Sequence, residues 1–287
     1  MSVINDRMKA VAFFCVFICL IGCATSGTTM SRKTTVDIER GRPIPPLDAV
    51  ASALGGLNKL LLWNPRFANH DVSYKTEAVL ADFMNKYELY DVKVRINQFA
   101  PIDELKRLFK NNRVAWPYRI LGIPTTLISS ATGRLFAGLL SSDYYDPFSN
   151  TIHIFSDDPS IALHEAGHAK DFQKQSFRGT YAFLRTFPGV NLAQELVATH
   201  EAFDYLELHG TDEEKIRAPR VLYPAFATYA GSYLQGIPFG WLGALAGGHF
   251  YGWTRSRYKR EELATRPKAA ASSSYSSDPK LITLSPS

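Results

Sequence analysis

The chain has 287 residues, 46% of them hydrophobic and 21% charged, with a formal net charge of +5. That length buries one sizeable core and is short for two full domains. The mild positive excess is not gathered into Lys/Arg blocks interleaved with stacking aromatics, which argues against nucleic acid as a partner.

At the N-terminus, Arg7 and Lys9 precede an uncharged run over residues 10–22 that is too short to span a bilayer comfortably, so residues 1–22 read as a signal peptide. All three cysteines, Cys15, Cys19 and Cys23, lie in or directly after that run, leaving none for a disulfide or a metal in the folded part. The segment Leu20-Ile21-Gly22-Cys23 resembles the bacterial lipobox, in which a small residue before the cysteine permits cleavage and the thiol receives diacylglycerol. The resemblance implies a lipoprotein anchored through Cys23 in the bacterial cell envelope, with inner and outer membrane both open. An uncleaved apolar anchor is the plainer alternative. Residues 23–46, rich in Thr, Ser, Gly and Pro, read as the lipidated cysteine and a flexible tether. Residues 47–265 then read as the folded body, and 266–287 as a disordered tail.

Within the body, Leu47, Val50, Leu54, Leu57 and Leu61 recur at helical spacing, and a second helix runs from Thr76 as N-cap to about residue 87. Val92, Val94 and Ile96 alternate with polar residues as a half-buried strand. A short helix starts near Pro101, followed by extended segments at 118–129 and 134–140 around a turn at 131–133. Ile152 and Ile154 mark a strand at 151–155. Short strands ahead of a helical half predict an α+β fold with a small mixed sheet.

The chemistry concentrates in His164-Glu165-Ala166-Gly167-His168. Asp158 followed by Pro159 is an N-cap with proline at the first helical position, which puts the motif on a helix. Residues four apart share a helix face, so two imidazoles can aim at one Zn2+ while Glu165 faces an open position. A carboxylate there can take a proton from water and pass it to a leaving group. Gly167 is costly inside a helix unless close approach is needed, near the metal or a neighbouring helix.

A third metal ligand follows from helical bookkeeping over residues 191–208. Leu192, Leu196, Thr199, Ala202, Phe203 and Leu206 form one apolar face, and Glu195 is the only charge inside it, whereas Glu201, Asp204 and Glu207 fall on the polar side. A core-facing carboxylate is expensive unless paired or bound to a cation, which selects Glu195. His200 and Glu201 become ligands only if that helix is rotated. Asp171, three residues past His168, is a candidate to orient an imidazole, with a solvated helix-face role as the alternative.

His164 to His168 together with Glu195 resemble the zincin metallopeptidases of the gluzincin type, in which HExxH is completed by a glutamate on a following helix. The resemblance implies a zincin-like catalytic domain, with the strand at 151–155 in the place of an edge strand that binds peptide by β-addition. It also implies an aspartate four residues after the glutamate supporting a histidine, where this chain has Thr199. A donor for the developing oxyanion is implied too, with Tyr205, Tyr223, Tyr229, Tyr233 and His249 as candidates.

Residues 221–253 carry no Asp, Glu, Lys or Arg, and Arg255, Arg257, Lys259 and Arg260 follow. Pro224 and Pro238 divide the stretch, so it reads first as two short helices buried or lying at an interface, and second as a membrane-inserted segment. The functional expectation is a zinc metallopeptidase acting on a protein or peptide substrate in the envelope. A scaffold lipoprotein with a structural or inactive zinc site, and a zinc hydrolase of a non-peptide amide or ester, are the alternatives.

Overall fold

The computed structural model describes residues 35–135 and 143–266. The signal segment, Cys23, residues 267–287 and most of the expected extended segment at 134–140 lie outside the described residues.

Strands β1 (Asp37–Arg40), β2 (Lys93–Ile96), β3 (Tyr144–Asp146) and β4 (Thr151–Ile154) form one mixed sheet in the order β1-β2-β4-β3. The first three in that order run parallel, and β3 pairs antiparallel with β4. With the helices around it, the architecture is α+β. β1 falls in the stretch expected as tether: Val36 and Ile38 pack on the core, an apolar pair too short to show a period. β2 is buried on both faces rather than one, because Val94 and Ile96 face the core while Arg95 is covered by Glu104. β4 is not an edge strand, since β2 and β3 occupy its two sides, and the edges of the sheet are β1 and β3.

Ten helices are found among the described residues: α1 (Pro45–Leu54), α2 (Gly56–Leu61), α3 (Tyr74–Lys86), α4 (Pro101–Lys110), α5 (Trp116–Leu135), α6 (Pro159–Lys174), α7 (Arg178–Leu184), α8 (Pro188–His209), α9 (Asp212–Ser232) and α10 (Gly240–Thr265). The first expected helix breaks at Gly55 into α1 and α2. α3 begins ahead of Thr76: Ser73 is the cap, its hydroxyl accepting from the Thr76 amide at 3.3 Å. The segment at 118–129 is helical, and α5 continues through the expected turn at 131–133. Its β-branched residues favour a strand locally. Tyr118, Gly122 and Thr126, four apart, form the buried face, and tertiary burial overrides propensity.

α3, β2, β4, α6 and α8 share one core, in which Leu80, Phe83, Ile96, Ile152, Leu163 and Leu206 are fully enclosed. Over 221–253, Pro224 lies inside α9 and divides nothing; the chain reverses between Ser232 and Gly240. The two helices are long and packed together. A Cβ at Gly252 would stand 2.4 Å from the Pro219 carbonyl oxygen, so glycine there lets the backbones touch. No helix among the described residues is long and apolar enough to cross a membrane.

Candidate metal centre

α6 starts as its sequence predicts. The Asp158 carboxylate caps the helix by accepting from the Ser160 amide at 3.0 Å, Pro159 occupies the first turn, and Arg217 of α9 holds Asp158 at 2.8 Å. His164, Glu165 and His168 are thereby placed on the α6 face towards α8 and α9.

Gly167 sets the distance between α6 and α8. A Cβ there would stand 2.7 Å from the Ala198 carbonyl oxygen, closer than a side-chain carbon tolerates. Its partner is the neighbouring helix, not the metal position. That contact brings Glu195, with no exposed surface, onto both histidines: Oε2 lies 3.1 Å from His164 Nε2 and Oε1 3.4 Å from His168 Nε2.

Ligand atoms of His164, His168 and Glu195 all lie within 4.8 Å of one another, close enough to hold one metal ion. Ligands about 2.0–2.1 Å from a tetrahedral ion sit roughly 3.3 Å apart, which both measured separations approach. The two nitrogen donors and one carboxylate suit a borderline cation such as zinc, and the three-ligand set leaves a position open. The chain fits the metal its motif implies.

Electrostatics keep Glu195 anionic and His168 neutral, the forms in which they ligate a metal. Burial alone would raise the Glu195 pKa, but His168 and His164 outweigh it and hold the carboxyl well below the usual range, hence anionic. Burial and the nearby Arg185 guanidinium push His168 down to about 3, which keeps its imidazole neutral with a lone pair to offer. His164 is drawn the other way: burial lowers it, but the hydrogen bond to Glu195 and the charge of Glu165 raise it above the ordinary value. Burial pushes Glu165 up to about 7, partly offset by His164, so it can exchange a proton near neutrality.

Around the ligands, Thr199 fills the position where the gluzincin resemblance implies an aspartate, and its hydroxyl lies 3.3 Å from His164 Nδ1. Asp171 orients no imidazole; its carboxylate accepts from Tyr181 and Gln175 instead. Glu201 is paired with Lys170 and Lys174, away from the ligands. The apolar face of α8 is turned slightly from expectation: Gln194, Glu195, Ala198, Thr199, Ala202, Tyr205 and Leu206 are buried, while Leu196 is 43% exposed. His200 stays exposed.

Two functional candidates emerge that the sequence did not single out. Arg185, at the C-terminal cap of α7, donates to Glu195 Oε1 at 2.7 Å and stands 3.3 Å from His168 Nε2. Asp143 accepts from the backbone amides of Phe155 and Ser156 and lines the cavity beside Glu165.

The cavity, about 360 Å³, is bounded by His164 and Glu165, by Asn58 and Leu62 near α2, by Tyr144 of β3, and by α9 from Val221 to Tyr229. Among the expected oxyanion donors, Tyr229 is the one on this wall. Tyr205 donates to Asp82, Tyr233 to the Pro188 carbonyl, Tyr223 lies against Phe203 and Tyr251, and His249 bonds the Leu61 carbonyl. The charge of Glu195 raises the Tyr229 pKa and keeps its hydroxyl a proton donor.

Comparison with protein-family models, curated proteins and solved structures finds no match. The functional reading therefore rests on the site.

Proposed function

We propose that the chain is a zinc-dependent metallopeptidase of the zincin type, anchored in a bacterial cell envelope through lipid on Cys23. The observation that carries this reading is the convergence of His164, His168 and the buried Glu195 on one point, with Glu165 beside them facing a cavity. When bound, zinc supplies a Lewis acid that polarises a carbonyl and makes water acidic near neutral pH.

The chain's own residues divide the remaining work. Glu165, poised near neutrality, takes the proton of the attacking water and hands it to the departing amine, so one group serves as base and then acid. Tyr229 offers its hydroxyl proton to the oxygen on which negative charge develops. Leu62, Phe67, Ile161, Val221 and Phe226 give the cavity an apolar wall that accepts a bulky hydrophobic side chain of the substrate.

The test is hydrolysis of unfolded casein by wild type and Glu165→Gln. Activity in wild type and a loss of at least about 100-fold in the variant support the peptidase, given the contribution expected of a general base. A folded wild type that cleaves neither casein nor a panel of ester and amide substrates returns the chain to the scaffold reading.

A further inference from the structure

The second groove of interest has no ionisable wall apart from a histidine. Leu60, Leu61 and Trp63 at the end of α2 face Leu242, Leu245, Ala246, His249, Phe250 and Trp253 of α10 across an open groove of about 720 Å³. His249 Nε2 lies 2.7 Å from the Leu61 carbonyl and its ring 4.3 Å from that of Trp63, which joins the two helices.

Outward-facing apolar residues on α10 fall in one stripe: Phe239 ahead of the helix is 82% exposed, Leu242 51%, Phe250 69% and Trp253 45%. Spacings of three, eight and three residues keep them on one helix face. Leu57, Leu60 and Trp63 continue the apolar surface on the α2 side, Trp63 being 75% exposed. Trp63 also adopts a left-handed backbone, φ 48°, an unfavourable conformation for a bulky residue, and it leaves the indole outside the core. Contiguous exposed aromatics of this kind mark an interaction surface.

We propose that this face rests on the bilayer and sets the catalytic cleft against the membrane surface. Three observations favour lipid as the occupant. Exposed Arg257 and Arg260 continue the apolar stripe, with the Arg257 guanidinium 4.8 Å from the Trp253 ring, and this aromatic-plus-arginine edge suits the level of anionic headgroups. No described helix is long and apolar enough to cross, so contact with a bilayer by this face would be interfacial and not spanning. From Cys23 to the first described residue is about a dozen residues, a reach of at most roughly 40 Å. A lipid on Cys23 therefore holds the face at high local concentration near the membrane, where weak contacts suffice.

That proximity depends on the proposed lipidation of Cys23. The consequence for substrate follows from the shared wall: Asn58 and Leu62 line the catalytic cavity, while Leu60, Leu61 and Trp63 line the groove. Docking selects polypeptide segments emerging at the bilayer surface.

The experiment uses the full chain, expressed with its own N-terminus, purified in detergent and reconstituted into phosphatidylcholine/phosphatidylglycerol vesicles carrying brominated acyl chains. Tryptophan quenching reports depth, and the mass of the N-terminal peptide reports lipid on Cys23 independently. The proposal expects quenching in wild type, loss of more than half of it in Trp63→Phe/Trp253→Phe, and weaker quenching when phosphatidylglycerol is omitted. A lipidated chain without quenching, or quenching unchanged in the double variant, overturns the docking face while leaving the anchor intact. Quenching with unmodified Cys23 supports the face and refutes the anchor.

Discussion

Arg185 Nη2 lies 2.7 Å from Glu195 Oε1, while Glu195 Oε2 faces His164. The guanidinium fixes one carboxylate oxygen and leaves the other towards the metal position. Partners of this kind set the orientation of a ligand and commonly contribute about 10–100-fold to metal affinity. Arg185→Ala is expected to weaken zinc binding by about that factor in a competition assay with a chromophoric chelator, and Arg185→Lys to recover part of it. Unchanged or tighter binding in Arg185→Ala would show that the guanidinium does not support ligation.

Gly167 supplies the next prediction. With the Ala198 carbonyl 2.7 Å from where a Cβ would be, Gly167→Ala must push α6 from α8 and carry both histidines away from Glu195. Overpacking of this kind costs about 1–3 kcal/mol. The variant should unfold at lower denaturant and bind zinc more weakly. A gain in stability, as expected for glycine to alanine in an unconstrained helix, would mean that the helices are not held this closely.

Beneath the sheet, Arg95, Glu104 and His153 form a buried charged cluster, with Arg95 and His153 cross-strand partners on β2 and β4. Burial pushes the Glu104 pKa up, but the neighbouring His153, Ser149 and Arg95 outweigh it and hold the carboxyl well below its ordinary value of 4.5. A depressed folded-state pKa gives stability that is present above the unfolded value and lost as pH falls through the folded one. Acid titration of unfolding should thus show stability declining below about pH 4.5, with a smaller decline in Glu104→Gln. Because removing one partner of a buried pair leaves the other uncompensated, that variant should also lose about 3–5 kcal/mol at neutral pH. An acid profile identical to wild type would exclude Glu104 as the titrating group.

Tyr229→Phe removes a hydroxyl from the cavity wall without removing the ring. If it donates to charge that develops during reaction, kcat should fall about 10²–10³-fold with KM nearly unchanged. A change confined to KM would place Tyr229 in substrate binding alone.

Legibility of the fold followed the length of the pattern. α6 and α8 carry several turns of periodic burial plus an N-cap in the first case, and both were readable; α5 was not, because its β-branched residues favour a strand while its buried face is fixed by Phe148 and Asp146 from distant chain. β1 has one apolar residue, Ile38, with Val36 just ahead of it, and acquires its meaning only from pairing with β2.

At the site, Glu195 was legible because a carboxylate inside an apolar stripe needs a cation. Arg185 carries the same kind of signal, as the only charged residue between Tyr181 and Gln194 in an otherwise apolar or uncharged run. What the sequence lacks is the direction of a side chain at a helix end, so its pairing with Glu195 waited for α7 to be placed against α8. The role of Tyr229 depended likewise on which face of α9 meets α6.

The most direct measurement is bound metal, determined by elemental analysis on purified wild type, Glu165→Gln and Glu195→Ala. About one zinc per chain is expected in wild type and in Glu165→Gln, since Glu165 is no ligand, and markedly less in Glu195→Ala. Wild type purified after zinc reconstitution that retains none, or Glu195→Ala that retains the full complement, would contradict the proposed centre.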